Sequence, residues 1–170
     1  MRHLVAVGAV VAAGVLGAGC GGDGGDGSQP RVSGPTALKL TDGDQGGRPL
    51  GATLNGANEV NSAGEPNQGD LDGTGTATVT LNEGQGQVCW EIAVANIVTP
   101  TRGHIHRAPA GQNGPIVVEF FETGQPIALS GCRTVAATLI RDIRQGPGGF
   151  YVNVHNSAFP AGAVRGQLGK

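Results

Sequence analysis

The run VCWEIAVA, Val88 to Ala95, sits between Gly86 and Asn96. In it Val88, Trp90, Ile92 and Val94 alternate with Cys89, Glu91, Ala93 and Ala95, the two-residue period of a β-strand whose successive side chains leave opposite faces. Both sets are largely apolar, as in a strand covered on both sides, so the run predicts a central strand. Working outward, the same period recurs in short stretches. Thr74 to Leu81 (TGTATVTL) alternates upstream, and Pro115 to Phe121 (PIVVEFF), Gly149 to His155 (GFYVNVH) and Ala163 to Leu168 (AVRGQL) follow downstream. Only Thr138 to Gln145 (TLIRDIRQ) has helical spacing, with Leu139, Ile140 and Ile143 on one side and Gly146-Pro147 as its stop. Many short strands with Gly and Pro between them predict an all-β fold, an antiparallel Greek-key-like β-sandwich with at most one short helix. Trp90, Phe120 and Phe121 are read as core.

Composition agrees with this pattern. Of 170 residues, 32 are Gly and 10 are Pro, which excludes long helices. A charged fraction of 14% and a net charge of -2 exclude both a basic nucleic-acid footprint and a strongly charged disordered chain. From Gly21 to about Gly47 the chain is rich in Gly, Asp, Ser and Pro and reads as a tether, although Thr36 to Leu40 has the makings of a short strand or packed patch. The length suits one domain, at residues 51–170, plus appendages.

The appendage at residues 1–19 reads as a signal peptide. Arg2 precedes an uncharged apolar run of thirteen residues, Leu4 to Leu16, shorter than the roughly 20 needed for a spanning helix. Leu16-Gly17-Ala18-Gly19-Cys20 resembles a bacterial lipobox, with its larger apolar residue one place early. The resemblance implies that Cys20 is lipidated and opens residues 20–50 as a membrane tether facing the extracytoplasmic side; the alternative is plain secretion. Removing 1–19 leaves ten basic and thirteen acidic residues, so the membrane is held through the lipid and not through charge. Cys89 and Cys132 remain as an even pair, 43 residues apart, in an oxidising compartment and are expected to form a disulfide. Two buried free thiols are the alternative.

After removal of the leader three histidines are left. In Gly103-His104-Ile105-His106 the rings stand at i and i+2, on one face of a strand and about 6.5 Å apart along it. His155, closing Tyr151-Val152-Asn153-Val154-His155, is placed to join them from a neighbouring strand. Three neutral imidazoles without a thiolate or carboxylate suit copper or zinc. The plainer reading is that the rings hydrogen-bond across strands and pin the loop Arg107 to Gly114 to the sheet. No nucleophile or carboxylate pair is placed by spacing beside them, so no catalytic residue is assigned. Asp70-Leu71-Asp72 and Asp42-Gly43-Asp44 pair carboxylates in glycine-rich loops without a full calcium ligand set. Arg102, Arg107 and Arg165 are candidates for an anion site near the histidines, or simply strand-edge charges.

His104-Ile105-His106, Gly111-Gln112-Asn113-Gly114-Pro115-Ile116-Val117-Val118, Tyr151-Val152-Asn153-Val154-His155, Phe159-Pro160-Ala161-Gly162 and Arg165-Gly166-Gln167-Leu168 together resemble the CHRD domain, the module named from chordin. Leu54-Asn55-Gly56-Ala57-Asn58-Glu59-Val60 is similar to its opening L-x-G-x-x-E-V segment, so the resemblance spans residues 51 to 168. It implies a β-sandwich and an exported, non-catalytic binding or structural module whose partner, an extracellular or cell-surface protein, the sequence does not name. The HxH and V-x-V-H segments also look like the copper-ligand pattern of Cu,Zn superoxide dismutase. The zinc loop and a fourth copper histidine have no counterpart, so the expectation is a metal-binding alternative and no enzyme.

Overall fold

The computed structural model describes residues 49–170. The expected leader at 1–19, Cys20, nearly all of the tether, Thr36 to Leu40 and the Asp42/Asp44 pair lie outside the described residues. Eight strands follow in chain order: β1 (Leu50–Asn55), β2 (Thr74–Asn82), β3 (Gln87–Ala95), β4 (Pro100–Arg107), β5 (Ile116–Phe121), β6 (Ser130–Thr134), β7 (Phe150–Asn156) and β8 (Val164–Gln167). One α-helix among the described residues, α1 (Ala137–Gln145), separates β6 from β7. Every pairing is antiparallel, in one sheet of order β5-β4-β7-β8-β1-β2-β3-β6.

The chain crosses between the two ends of this order three times, between β3 and β4, between β5 and β6 and, through α1, between β6 and β7, so the two ends are built from sequence neighbours. They meet. Trp90 on β3 stacks on Phe120 of β5 with ring centroids 4.6 Å apart, and Arg133 on β6 reaches Glu119 on β5 at 3.0 Å. The all-β antiparallel architecture with little helix is therefore present as one nearly closed sheet, whose two halves supply the facing layers.

The enclosed core follows from alternation. Ala77, Val79 and Leu81 of β2 and Val88, Trp90 and Ile92 of β3 point inward and are buried, while Thr76, Thr78, Glu91 and Ala93 point out. The expectation that β3 is covered on both faces is thus half met: β2 and β6 flank it, but the outer side of the strand reaches solvent. Its apolar outer residues are small, and exposing an alanine costs little. Trp90 Nε1–H donates to Ala128 O at 2.8 Å, which satisfies its one polar group.

Cys89 stands opposite Cys132 in the β3·β6 register, and the two form a disulfide. Edge strand β6 buries none of its five side chains. The covalent link takes over the role that apolar packing plays for the other strands. Helix α1 closes one end by burying Ile140 and Ile143 while Arg141 and Arg144 pair with Glu83.

Candidate metal centre

Strand β7 is buried at all seven positions, and its alternation explains why. Phe150, Val152 and Val154 enter the apolar core, whereas Tyr151, Asn153 and His155 leave the opposite face. On β4, Ile105 belongs to the core and His104 and His106 point the other way. Arg165 of β8, which pairs with Asn153, stands on that same outer face. An antiparallel sheet normally gives this face to water. Here three connecting segments cover it. Asn58 O and Gln112 O accept from Arg165 Nε and Nη1 at 2.7 and 3.0 Å. Asn113 Nδ2 donates to Val60 O and Asn61 O, and Pro160 O accepts from His155 Nδ1 at 3.2 Å.

The three histidines meet beneath this cover. His104, His106 and His155 are 0%, 8% and 5% exposed, and one ligand atom from each lies within 4.8 Å of the other two. Each ring commits one nitrogen to an oxygen acceptor from a different part of the chain: His104 Nε2 to the Glu122 carboxylate, His106 Nδ1 to Gly114 O at 2.9 Å, and His155 Nδ1 to Pro160 O. A carbonyl or carboxylate oxygen only accepts, so these nitrogens carry protons and the remaining ones, His104 Nδ1, His106 Nε2 and His155 Nε2, hold the lone pairs. His104 Nδ1 and His155 Nε2 are 3.1 Å apart. Two lone pairs at that separation need a cation between them: either a proton, making His104 an imidazolium paired with Glu122, or a metal ion.

His106 Nε2 is buried without a hydrogen-bond partner among the described residues, an unmet acceptor at the same place. A three-coordinate ion with bonds of about 2 Å spaces its nitrogens about 3.5 Å apart, so the set needs to contract by about 1 Å at its widest. The residues present fit such an ion in donor type and in secured outer nitrogens. Burial, followed by the charges of His104 and Arg102, pushes His155 down to about 4. Burial likewise lowers His106, against the opposing hydrogen bond to Gly114. Both rings are thereby kept in the neutral form that binds metal. Burial raises the Glu122 carboxyl, but the hydrogen bond from His104 and the charges of His104 and Arg102 outweigh it, and the net shift is downward.

A second buried group adjoins the first. The His106 ring stacks on Tyr151 at 4.8 Å and 6°, and the Arg165 guanidinium lies 4.6 Å from the Tyr151 ring centroid. Arg165 Nε approaches Glu59 Oε2 at 3.4 Å, and both residues are 3% exposed. Even beside this guanidinium, burial pushes Glu59 up to about 7. Among the described residues no donor reaches Glu59 Oε1, and no acceptor reaches Arg165 Nη2.

The structure therefore brings together the three histidines that the sequence singled out. It also performs the plainer role assigned to them, since His106 holds Gly114 at the end of the Arg107–Gly114 loop. It does not bring the three arginines together. Arg102 Nη2 donates to Pro160 O at 2.6 Å beside His155, Arg165 is consumed by Glu59 and the covering loops, and Arg107 pairs with exposed Asp142. The Asp70 carboxyl is raised chiefly by a hydrogen bond shared with Asp72. Glu122, Glu59 and Tyr151 were not among the site residues expected from sequence. Glu122 follows PIVVEFF directly, but its contact with His104 comes from the β4·β5 pairing, which no local pattern reveals.

A nearly closed antiparallel sheet with a polar, histidine-bearing layer beneath its loops defines an all-β module with a buried imidazole cluster. The CHRD domain model matches residues 50–168, and the chain belongs to the CHRD domain family, which is not known for enzymatic activity. No curated protein and no solved structure matches the chain.

Proposed function

We propose that this chain is an extracytoplasmic, lipid-anchored CHRD module with a non-catalytic task, holding one copper or zinc ion between His104, His106 and His155. One observation carries the metal reading: each ring spends one nitrogen on an oxygen acceptor and turns the other toward a shared buried centre. Outer hydrogen bonds of this kind set the tautomer and ring orientation of metal-bound histidines. The depressed basicity of His106 and His155 supports it as well. Holding is favoured over turnover because no nucleophile or carboxylate pair joins the three ligands among the described residues, and all three are shielded from solvent.

The resemblance of residues 1–19 to a signal peptide and of Leu16-Gly17-Ala18-Gly19-Cys20 to a lipobox supports the membrane address. Two or more acyl chains would keep the module on the membrane. Cys20→Ala is expected to abolish incorporation of a palmitate analogue, and undiminished labelling would refute the anchor. The metal reading is tested by measuring metal content and titrating Cu(II) and Zn(II) into the full chain and into a His104→Ala, His106→Ala, His155→Ala variant. One ion per chain, lost in the variant, is expected; no binding at micromolar metal refutes it. In that event the module's task passes to a protein partner. The exposed Leu71 and Val98, on loops joined by Asn96 Nδ2 donating to Asp72 O, are the contact surface that observation favours.

A further inference from the structure

We infer that this centre selects monovalent copper over divalent copper and zinc; the inference rests on the metal reading of the three histidines. Imidazole is a donor that both copper oxidation states and zinc accept, so donor identity does not decide between them. Coordination number and charge do.

The cluster offers three nitrogens, and no carboxylate or thiolate completes it among the described residues. Cys89 and Cys132 are joined to each other. Glu122, the carboxylate nearest to hand, is taken by the outer nitrogen of His104 and so faces away from the centre. Structural zinc is four-coordinate almost without exception, and Cu(II) favours four or more donors in a tetragonal plane. Cu(I), with a filled d shell, is satisfied by three neutral donors in a plane. With all three ligands buried, the centre has little access to solvent that would supply a fourth.

Charge acts in the same direction. Three neutral ligands leave one negative charge close to the ion, the Glu122 carboxylate hydrogen-bonded to His104, which balances a monovalent ion and leaves a divalent one with an excess buried charge, whose cost grows with its square. Two guanidiniums stand close by. Arg102 is held against His155 because both donate to Pro160 O, and Arg165 is held over Tyr151, whose ring stacks on His106. Each repels a divalent ion about twice as strongly as a monovalent one.

The test uses the full chain carrying Cys20→Ser, so that a free thiol does not compete for copper. Cu(I) is titrated anaerobically against bicinchoninate, Zn(II) against a chromophoric chelator and Cu(II) directly, each with the triple histidine variant alongside. Cu(I) is expected to bind once per chain and at least about tenfold more tightly than Zn(II) or Cu(II), and X-ray absorption should report three nitrogen neighbours. Arg102→Gln is expected to narrow that ratio by raising affinity for the divalent ions. Zn(II) or Cu(II) bound through the histidines as tightly as Cu(I), or a fourth donor in the Cu(I) form, would overturn the preference while leaving the metal site standing. Failure of every ion to bind would overturn both.

Discussion

Glu59 should make this domain less stable as pH rises from about 4.5 to neutrality, the reverse of what a carboxylate paired with arginine does. Its side chain is buried, no donor among the described residues reaches its Oε1, and Arg165 gives its Nε–H to Asn58 O and its Nη1–H to Gln112 O while approaching Glu59 Oε2 only at 3.4 Å. Desolvation therefore outweighs the guanidinium, and the carboxyl titrates near 7 instead of 4.5. At about 1.4 kcal/mol per pH unit, that shift is about 3 kcal/mol. The sign follows from proton counting. Between pH 4.5 and 7 the folded state keeps a proton that the unfolded chain has lost, so this contribution is complete below 4.5 and gone once pH passes about 7. Urea unfolding of the disulfide-intact protein and of Glu59→Gln from pH 5 to 8 measures it. The amide cannot ionise, and whatever it costs Arg165 is the same at every pH, so only the change in the stability difference matters. Glu59→Gln should gain about 2 to 3 kcal/mol on the native chain across that range. A constant difference, or one moving the other way, would mean that Arg165 keeps Glu59 ionised and would refute the reasoning.

Other expected outcomes concern the sheet and the histidines. Replacing Cys89 and Cys132 by alanine reopens a 43-residue separation and should lower unfolding free energy by about 4 kcal/mol in the loop-entropy account, with β6 losing amide protection first because it has no buried side chain to hold it. Retained protection on β6 would contradict this. Glu122→Gln should weaken metal binding about 10- to 100-fold without abolishing it, read by chelator competition; unchanged affinity would show that the carboxylate does not orient His104. Gly114→Ala places a Cβ 2.0 Å from Arg107 O, so the backbone that accepts from His106 must move. Both the thermal midpoint and metal affinity should fall, and an unchanged affinity would remove Gly114 from the site's support.

Period-two alternation made β2, β3, β5, β7 and β8 legible before any coordinates, and the 3.6-residue spacing at Leu139, Ile140 and Ile143 did the same for α1. Strand β4 was legible only in part, because Pro100 and Gly103 interrupt a run whose outward residues are histidines rather than the usual surface residues. Strand β6 (SGCRT) carries no apolar alternation at all; its place is set by pairing and by Cys132. The apolar character of both faces of VCWEIAVA suggested a doubly covered strand, yet the strand buried at every position is β7, where Tyr151, Asn153 and His155 lie under loops instead of a second sheet.

By itself, then, the sequence determined what is local: strands β2, β3, β5, β7 and β8, the helix, the shared face of His104 and His106, and the candidate pairing of two cysteines. These follow from the geometry of a few consecutive residues, which fixes the face that each side chain occupies. Only the tertiary structure decided that His155 reaches the other two rings, that Glu122 and the Gly114 and Pro160 carbonyls orient them, and that Glu59 and Arg165 are buried together beside them. Those relations join residues far apart along the chain, Glu59 and Arg165 the farthest. They depend on strand order and on loops folded over an outer face, which no periodicity along the chain encodes.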